Sequence, residues 1–213
     1  MRLRKKPGTI EKIHSEKDYF IIDPQACYGK WAGVFDIPQP IILEIGMGAG
    51  RLLTSYAAHN PNLNYIGIEK QEELIKQAIV KSHAVSISNI KFLWVNADNL
   101  EKVFGENEIS HLHLNFSDPW PKNKHAKRRL THRNYLNKYR HILRSGGVLE
   151  VKTDNAGLFE FTINELLHEK WQIDKVTFDL HSKDYFDGYM TEYEERFNSK
   201  GEKIYYLQAT NNK

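Results

Sequence analysis

Cysteine is nearly missing from this chain: Cys27 is the one thiol in 213 residues. No intramolecular disulfide is possible and a cysteine-built metal cluster is excluded, which fits a reducing cytoplasm and gives no expectation of a bound metal. Also missing is any uncharged apolar run near the ~20 residues that cross a bilayer. Met1-Arg2-Leu3-Arg4-Lys5-Lys6-Pro7 is charged and leads into no apolar stretch, so neither a secretory leader nor a membrane partner is expected. Repeats and low-complexity tracts are lacking too. What remains, with hydrophobic residues at 40%, is enough to pack one large domain.

The most informative absence is of acid. From Pro119 to Leu149 stand nine basic residues, Lys122, Lys124, Lys127, Arg128, Arg129, Arg133, Lys138, Arg140 and Arg144, with no Asp or Glu among them. Residues 1–6 add four more, Arg2, Arg4, Lys5 and Lys6, again without an acid. Setting those thirteen apart leaves 17 basic residues against all 27 acidic ones, a balance of −10 that the net charge of +3 conceals. A mildly acidic body with two concentrated basic segments has the electrostatic footprint of a polyanion-binding protein. A solvated charged face is the plainer alternative for any basic run.

Residues 1–28 read as a basic arm and an irregular lead-in, and 29–213 as a single domain. From Pro40 the pattern turns regular. Ile41 to Ile45 is a nearly continuous apolar run ending in glycines, as expected of a buried parallel strand. A helix over about 51–59 should stop before Asn60-Pro61. Strands follow at Asn64–Glu69, 90–95 and 109–116, with a helix over 71–83 between the first two. Tyr135, Leu136, Tyr139, Ile142 and Leu143 mark the inner face of a helix with Thr131 as N-cap and Gly146-Gly147 as its stop. A fifth strand at 147–152, a helix striped by Leu158, Phe159, Ile163, Leu166 and Leu167, and strands near 174–180 and 203–209 complete the chain. Strand alternating with helix predicts a doubly wound α/β fold on a mostly parallel seven-stranded sheet. Ligands in such folds sit at the carboxyl ends of the strands, where Glu44, Glu69, Asn96, Asp118 and Asp154 all fall.

Gly46-Met47-Gly48-Ala49-Gly50 follows the first strand and opens the first helix. A dinucleotide fingerprint would need Gly or Ala at position 51, and Arg51 stands there, which disfavours pyrophosphate. The G-x-G-x-G spacing with Glu44 two residues ahead resembles the first motif of class I methyltransferases. Their cofactor, S-adenosylmethionine, carries a sulfonium and an ammonium, and acids at this mouth suit it. Glu69, at the end of the second strand, stands where a carboxylate accepts from ribose hydroxyls. Asn96 is the candidate for the adenine.

Past the fourth strand comes Asn115-Phe116-Ser117-Asp118-Pro119-Trp120-Pro121-Lys122, then His125-Ala126-Lys127-Arg128-Arg129-Leu130. Two prolines leave this backbone little freedom. The segment closely resembles the signature of bacterial tRNA (guanine-N7)-methyltransferases, and Lys152-Thr153-Asp154-Asn155 and Thr191-Glu192-Tyr193-Glu194 extend the resemblance from Gly29 to the C-terminus. It implies a class I (Rossmann-like) enzyme, monomer or homodimer, that methylates a guanine in the variable loop of tRNA. By that resemblance Glu44, Glu69, Asn96 and Asp118 line the cofactor site beside Gly46, Gly48 and Gly50. Asp118 is then the catalytic residue. Lys122, Asp154, Thr191, Glu192, Tyr193 and Glu194 hold the substrate, and Lys124, His125, Lys127, Arg128 and Arg129 contact RNA. Asn96 departs from the family, which commonly has Asp there. Exocyclic amino-methyltransferases place Asn/Asp-Pro-Pro before an aromatic residue, whereas here Trp120 follows Pro119 directly. An NAD-dependent oxidoreductase is disfavoured by Arg51 and the basic run. A non-catalytic RNA binder on a degenerate fold is disfavoured by the intact glycines, Glu69 and Asp118.

Overall fold

Branched apolar runs form the centre of the sheet because they can be buried on both faces. In a computed structural model, which describes residues 7–182, 190–191, 194–195 and 201–213, Ile41–Ile45 (β1) and Asn64–Glu69 (β2) are buried at every position. They are flanked by Ile90–Trp94 (β3) and Ile109–Asn115 (β4), then Leu143–Thr153 (β5), Gln172–Thr177 (β6) and Tyr205–Thr210 (β7). The seven strands run in the order β3-β2-β1-β4-β5-β7-β6. All pairings from β3 to β5 are parallel, and β7 lies antiparallel to both β5 and β6. Strand order reverses between β1 and β4, which is where such a sheet opens a crevice at its carboxyl edge.

Period-two alternation sorts the side chains into two cores. Ile42, Tyr65 and Phe92 meet Leu53 and Ala57 of Arg51–His59 (α2) and Ile75, Ala78 and Ile79 of Glu72–Ala84 (α3). Leu43, Ile45, Ile66, Ile68, Leu112, Leu114, Leu149 and Val151 face the other way. There they meet Leu100 of Leu100–Val103 (α4), Leu136 and Tyr139 of Arg133–Ile142 (α5) and Phe159 and Leu166 of Ala156–His168 (α6). Each such fully buried side chain stabilises the fold by ~1.5–3 kcal/mol of apolar transfer.

Several boundaries differ from the sequence reading. α5 is capped by His132, whose ring nitrogen accepts from Asn134 N at 3.1 Å, while Thr131 is fully buried and takes a bond from Thr162 Oγ1 at 2.9 Å. The helix passes straight into β5 at Leu143, so Gly146 and Gly147 lie within the strand, the former at φ +68°. Leu167 is exposed. The lead-in also packs against the domain. Thr9–Ser15, numbered α1, buries Ile13, and Phe20 bridges to Phe92 on the open side of β3, with Phe92 N donating to Tyr19 O at 2.7 Å. Residues 1–6 lie outside the described residues.

Candidate active site

Glycine conformations build the turn after β1. Gly46, Gly48 and Gly50 all have φ between 57° and 77°, a left-handed region that side chains disfavour. At Gly50 an added Cβ would also stand 2.5 Å from Ala78 Cβ, so the start of α2 packs directly on α3. The turn is stitched to β2, since Gly46 N and Met47 N donate to Ile68 O at 2.8 and 3.2 Å.

Glu69 completes the stitching. One carboxylate oxygen accepts from Lys70 N and Gln71 N at 2.8 and 3.1 Å, and the other from Gly48 N at 3.2 Å. Burial pushes its pKa up, and those three backbone donors and the Lys70 charge pull back against it. A carboxylate offers about four acceptor positions, so with three backbone donors in place about one remains, on the oxygen that Gly48 N bonds, for a hydroxyl in the cavity it lines. Glu44 is only 3% exposed and accepts from Asn115 Nδ2 at 2.8 Å. Burial raises its pKa as well, opposed by the Asn115 bond and by the charges of His113 and Lys152.

The loop after β4 is rigid for reasons beyond its prolines. Phe116 and Trp120, neither of them glycine, sit at φ 52° and 41°, strained positions that persist only where the surroundings enforce them. Phe116 is held by its N–H donating to Lys152 O at 2.9 Å, and Trp120 by Arg129. Its guanidinium donates to Pro119 O at 3.1 Å and to Trp120 O at 3.1 and 3.3 Å, and lies over the Phe161 ring at 4.3 Å. Arg129, expected to contact RNA, is buried and its Nε and Nη2 brace the loop from within. Asp118, by contrast, has a side chain 68% exposed at the rim, with Lys70 Nζ 3.9 Å from its carboxylate.

Two cavities meet at Gly46 and Phe116. The larger, about 590 Å³, is lined among others by Glu69, Asn96, Asp98, Asp118, Trp120 and Arg128, with Lys127 and Tyr135. The smaller, about 290 Å³, is lined by Glu44, the Gly46–Gly50 turn, Arg51, Asn115, Phe116 and Thr191. Most of the expected cofactor residues are thus brought to one crevice. Lys122, Lys124, Asp154 and Glu194 line neither cavity, and Glu192 and Tyr193 lie outside the described residues. Glu194 points inward, fully buried, with Lys152 Nζ at 3.8 Å and His181 Nε2 at 3.2 Å. Its bond with Thr191 is reciprocal: Glu194 N donates to Thr191 Oγ1 at 2.9 Å and Thr191 N to Glu194 Oε2 at 3.3 Å. That is a capping box, and Thr-x-x-Glu is its signature in sequence.

Asp98 is a residue the sequence reading missed. Asn96 spends its side chain capping the turn Ala97–Asn99, accepting from Asp98 N and donating to Asp98 Oδ2 at 3.1 Å. Tyr135 OH donates to the other Asp98 oxygen at 2.6 Å. A carboxylate thus lines the cavity two residues past Asn96, where the family commonly has Asp, and no spacing rule points to that.

The basic run also divides. Arg133 is bound by Glu165 through its guanidinium at 2.7 and 3.0 Å, Lys138 is 3.2 Å from Glu101, and Arg140 lies over Trp171 at 5.4 Å. Lys122, Lys124, Lys127 and Arg128 remain exposed beside the crevice, Arg128 over the Trp120 ring at 4.9 Å and His125 edge-on to it at 5.7 Å.

A doubly wound sheet with a glycine turn after β1, acids closing β1 and β2, and a braced Asp-bearing loop after β4 defines an S-adenosylmethionine-dependent methyltransferase of class I. The profile of one protein family, described as "Putative methyltransferase", matches residues 38–207. A tRNA (guanine-N(7)-)-methyltransferase of Lachnoclostridium phytofermentans is 46% identical over 98% of both chains, and one of Brevibacillus brevis is 44% identical over 99% of this chain and 98% of that one. The chain belongs to the bacterial tRNA (guanine-N7)-methyltransferase family. Among solved structures the fold matches an antibiotic-related methyltransferase at TM-score 0.62 and 19% identity, covering 92% of this chain and 97% of that one. It also matches the 16S rRNA methyltransferase KamB at TM-score 0.60 and 14% identity, covering 98% and 95%.

Proposed function

We propose that the protein methylates N7 of a guanine in the variable loop of tRNA, in the cytoplasm, and that Asp118 is its catalytic residue. The crevice fits the cofactor: Glu44 is a buried carboxyl beside a turn left open at Gly46 and Gly48, and Glu69 keeps an acceptor position on the oxygen that Gly48 N bonds. Glu44 would face the ammonium end, Glu69 the ribose, and Asp98 with Asn96 the adenine. Bound S-adenosylmethionine supplies an electrophilic methyl group on a sulfonium.

The chain's own work is orientation and charge. Guanine N7 carries a lone pair and no proton, so no general base is required. N7 and O6 are both acceptors, and a carboxylate cannot bond to either. Asp118 can accept only from the N–H groups on the opposite edge of the base, which leaves N7 directed away from it and toward the cofactor. As positive charge arrives on the ring, a carboxylate on that far edge, ~6 Å from the charged ring, attracts it by up to about 3 kcal/mol at an effective dielectric near 20. Only the excess over its attraction for the sulfonium accelerates the reaction. Trp120, fixed by Arg128 and His125, offers an aromatic face beside this carboxylate, and Lys122, Lys124, Lys127 and Arg128 carry the phosphates. Lys122, Asp154 and the segment 191–194 are read as holding the substrate.

The observation that carries this reading is the exposed Asp118 on a loop strained at both Phe116 and Trp120 and braced by Arg129, at the edge of the cofactor crevice. Asp118→Asn should lower the single-turnover rate on tRNA about a hundredfold, or ~3 kcal/mol, with little change in tRNA affinity. Near-normal turnover in that variant would refute the role. Nucleoside analysis of methylated tRNA should show 7-methylguanosine.

A further inference from the structure

Arg51, the residue that breaks the dinucleotide fingerprint, is engaged with a partner 144 positions along the chain. Its Nη1 and Nη2 donate to the two carboxylate oxygens of Glu195, both at 2.6 Å. Arg51 is the first residue of α2, directly after Gly50, and it lines the smaller cavity, as Thr191 does. Glu195 belongs to the turn that Thr191 caps, since Glu195 N donates to Thr191 O at 3.1 Å.

Two consecutive carboxylates therefore leave this turn toward different parts of the fold. Glu194 goes inward to Lys152 at the end of β5 and to His181, and Glu195 goes across to the start of α2. A turn held at Glu194 alone can pivot about that anchor. A second anchor on another element fixes its tilt, and with it the distance of Thr191 from the glycine turn. The planar guanidinium suits the task because a two-pronged pair fixes direction as well as distance, which an ammonium does not. Both side chains are nearly half exposed, so the pair adds little to stability and its consequence is placement.

We propose that Arg51 is a positioning residue for the substrate: its pair with Glu195 sets Thr191 against the cofactor cavity, so that the guanine site and the cofactor site are assembled in register. This rests on the reading of residues 191–194 as holding the substrate.

The test compares Glu195→Gln, Arg51→Lys, Arg51→Glu, the reversed pair Arg51→Glu with Glu195→Arg, and Thr191→Ala. Measured for each are kcat and KM on tRNA, equilibrium tRNA binding, S-adenosylmethionine affinity by calorimetry, and Tm. Glu195→Gln and Arg51→Lys should each raise the KM for tRNA about fivefold, the ceiling for an exposed pair, with Tm and cofactor affinity unchanged. The reversed pair should recover most of the loss. A normal KM in Glu195→Gln, or a reversed pair no better than Arg51→Glu alone, overturns the proposal. So does loss of cofactor affinity in the Arg51 variants without an effect of Glu195→Gln, which would assign Arg51 to the cofactor. Thr191→Ala separates the two layers. If it impairs tRNA methylation while Glu195→Gln is normal, only the role of Arg51 fails; if it is itself normal, the substrate role of the segment falls and the proposal with it.

Discussion

Burial drives the Glu44 carboxyl above the usual carboxylate range, and the amide of Asn115 with the charges of His113 and Lys152 offsets only part of that shift, while Glu69 adds to it. The folded protein therefore keeps this proton over a pH window in which the unfolded chain, with a carboxyl near pKa ~4.3, has already released it. The contribution to stability is full below the unfolded value and is lost as pH rises through the folded one. Ionising Glu44 in the folded protein therefore costs stability, and a cation bound beside it would offset part of that cost. Glu44→Gln keeps an acceptor for Asn115 and removes the buried charge. It should raise Tm at pH 7 by about 2–4 °C, the equivalent of ~1 kcal/mol in a chain of this size, and weaken S-adenosylmethionine binding at least about tenfold. In the unsubstituted protein that affinity should fall on acidification, beginning above the ordinary carboxylate range, because protonated Glu44 no longer attracts the ammonium. Calorimetry over pH 4.5–8 checks both, and a less stable Glu44→Gln with unaltered cofactor affinity would contradict them.

Elements were legible in the sequence where one signal dominated. β1, β2 and α2 fall on the expected residues because apolar runs and Asn60-Pro61 leave no competing choice. The junction of α5 and β5 did not, because Gly146-Gly147 reads as a helix stop and instead serves a strand that continues without a loop. At the site, Glu44, the glycines and Glu69 could be placed from strand ends and spacing, while the role of Asp118 rested on the resemblance. The division of the basic run could not, since it depends on Glu165, Glu101 and Phe161, residues remote in sequence that meet it only in the fold. That division has a measurable consequence. Lys127→Ala removes an exposed charge beside the crevice and should reduce the slope of log affinity for tRNA against log salt by about 1. Arg129→Ala should leave the slope unaltered but lower turnover about tenfold or more, because Pro119 and Trp120 lose the donors that hold the loop in its strained form. Equal salt slopes for the two variants would show that the division is wrong.

Along the whole chain, basic residues are concentrated in two segments, 1–6 and 119–149, and the remainder is acidic. The lead-in that follows residues 1–6 covers the edge of the sheet. Phe20 and Tyr19 pair with Phe92 on the otherwise open side of β3, Ile13 is wholly buried, and Thr9 Oγ1 donates to Glu73 of α3 at 2.9 Å. Two truncations therefore divide the N-terminal region by function. Removing residues 1–6 takes away four basic side chains and no described packing, and should leave Tm unaltered while tRNA affinity weakens and its salt slope shallows. Removing residues 1–21 uncovers an edge strand, which invites pairing between molecules, and deletes the buried side chains of Ile13, Tyr19 and Phe20. At ~1.5–3 kcal/mol for each large apolar side chain, that loss approaches the ~5–15 kcal/mol by which a domain is usually stable. The longer truncation should unfold at markedly lower denaturant and aggregate at micromolar concentration, whatever its affinity for tRNA. If denaturant titration instead gave the two truncated proteins the same midpoint, residues 7–21 would be an appendage and not part of the domain.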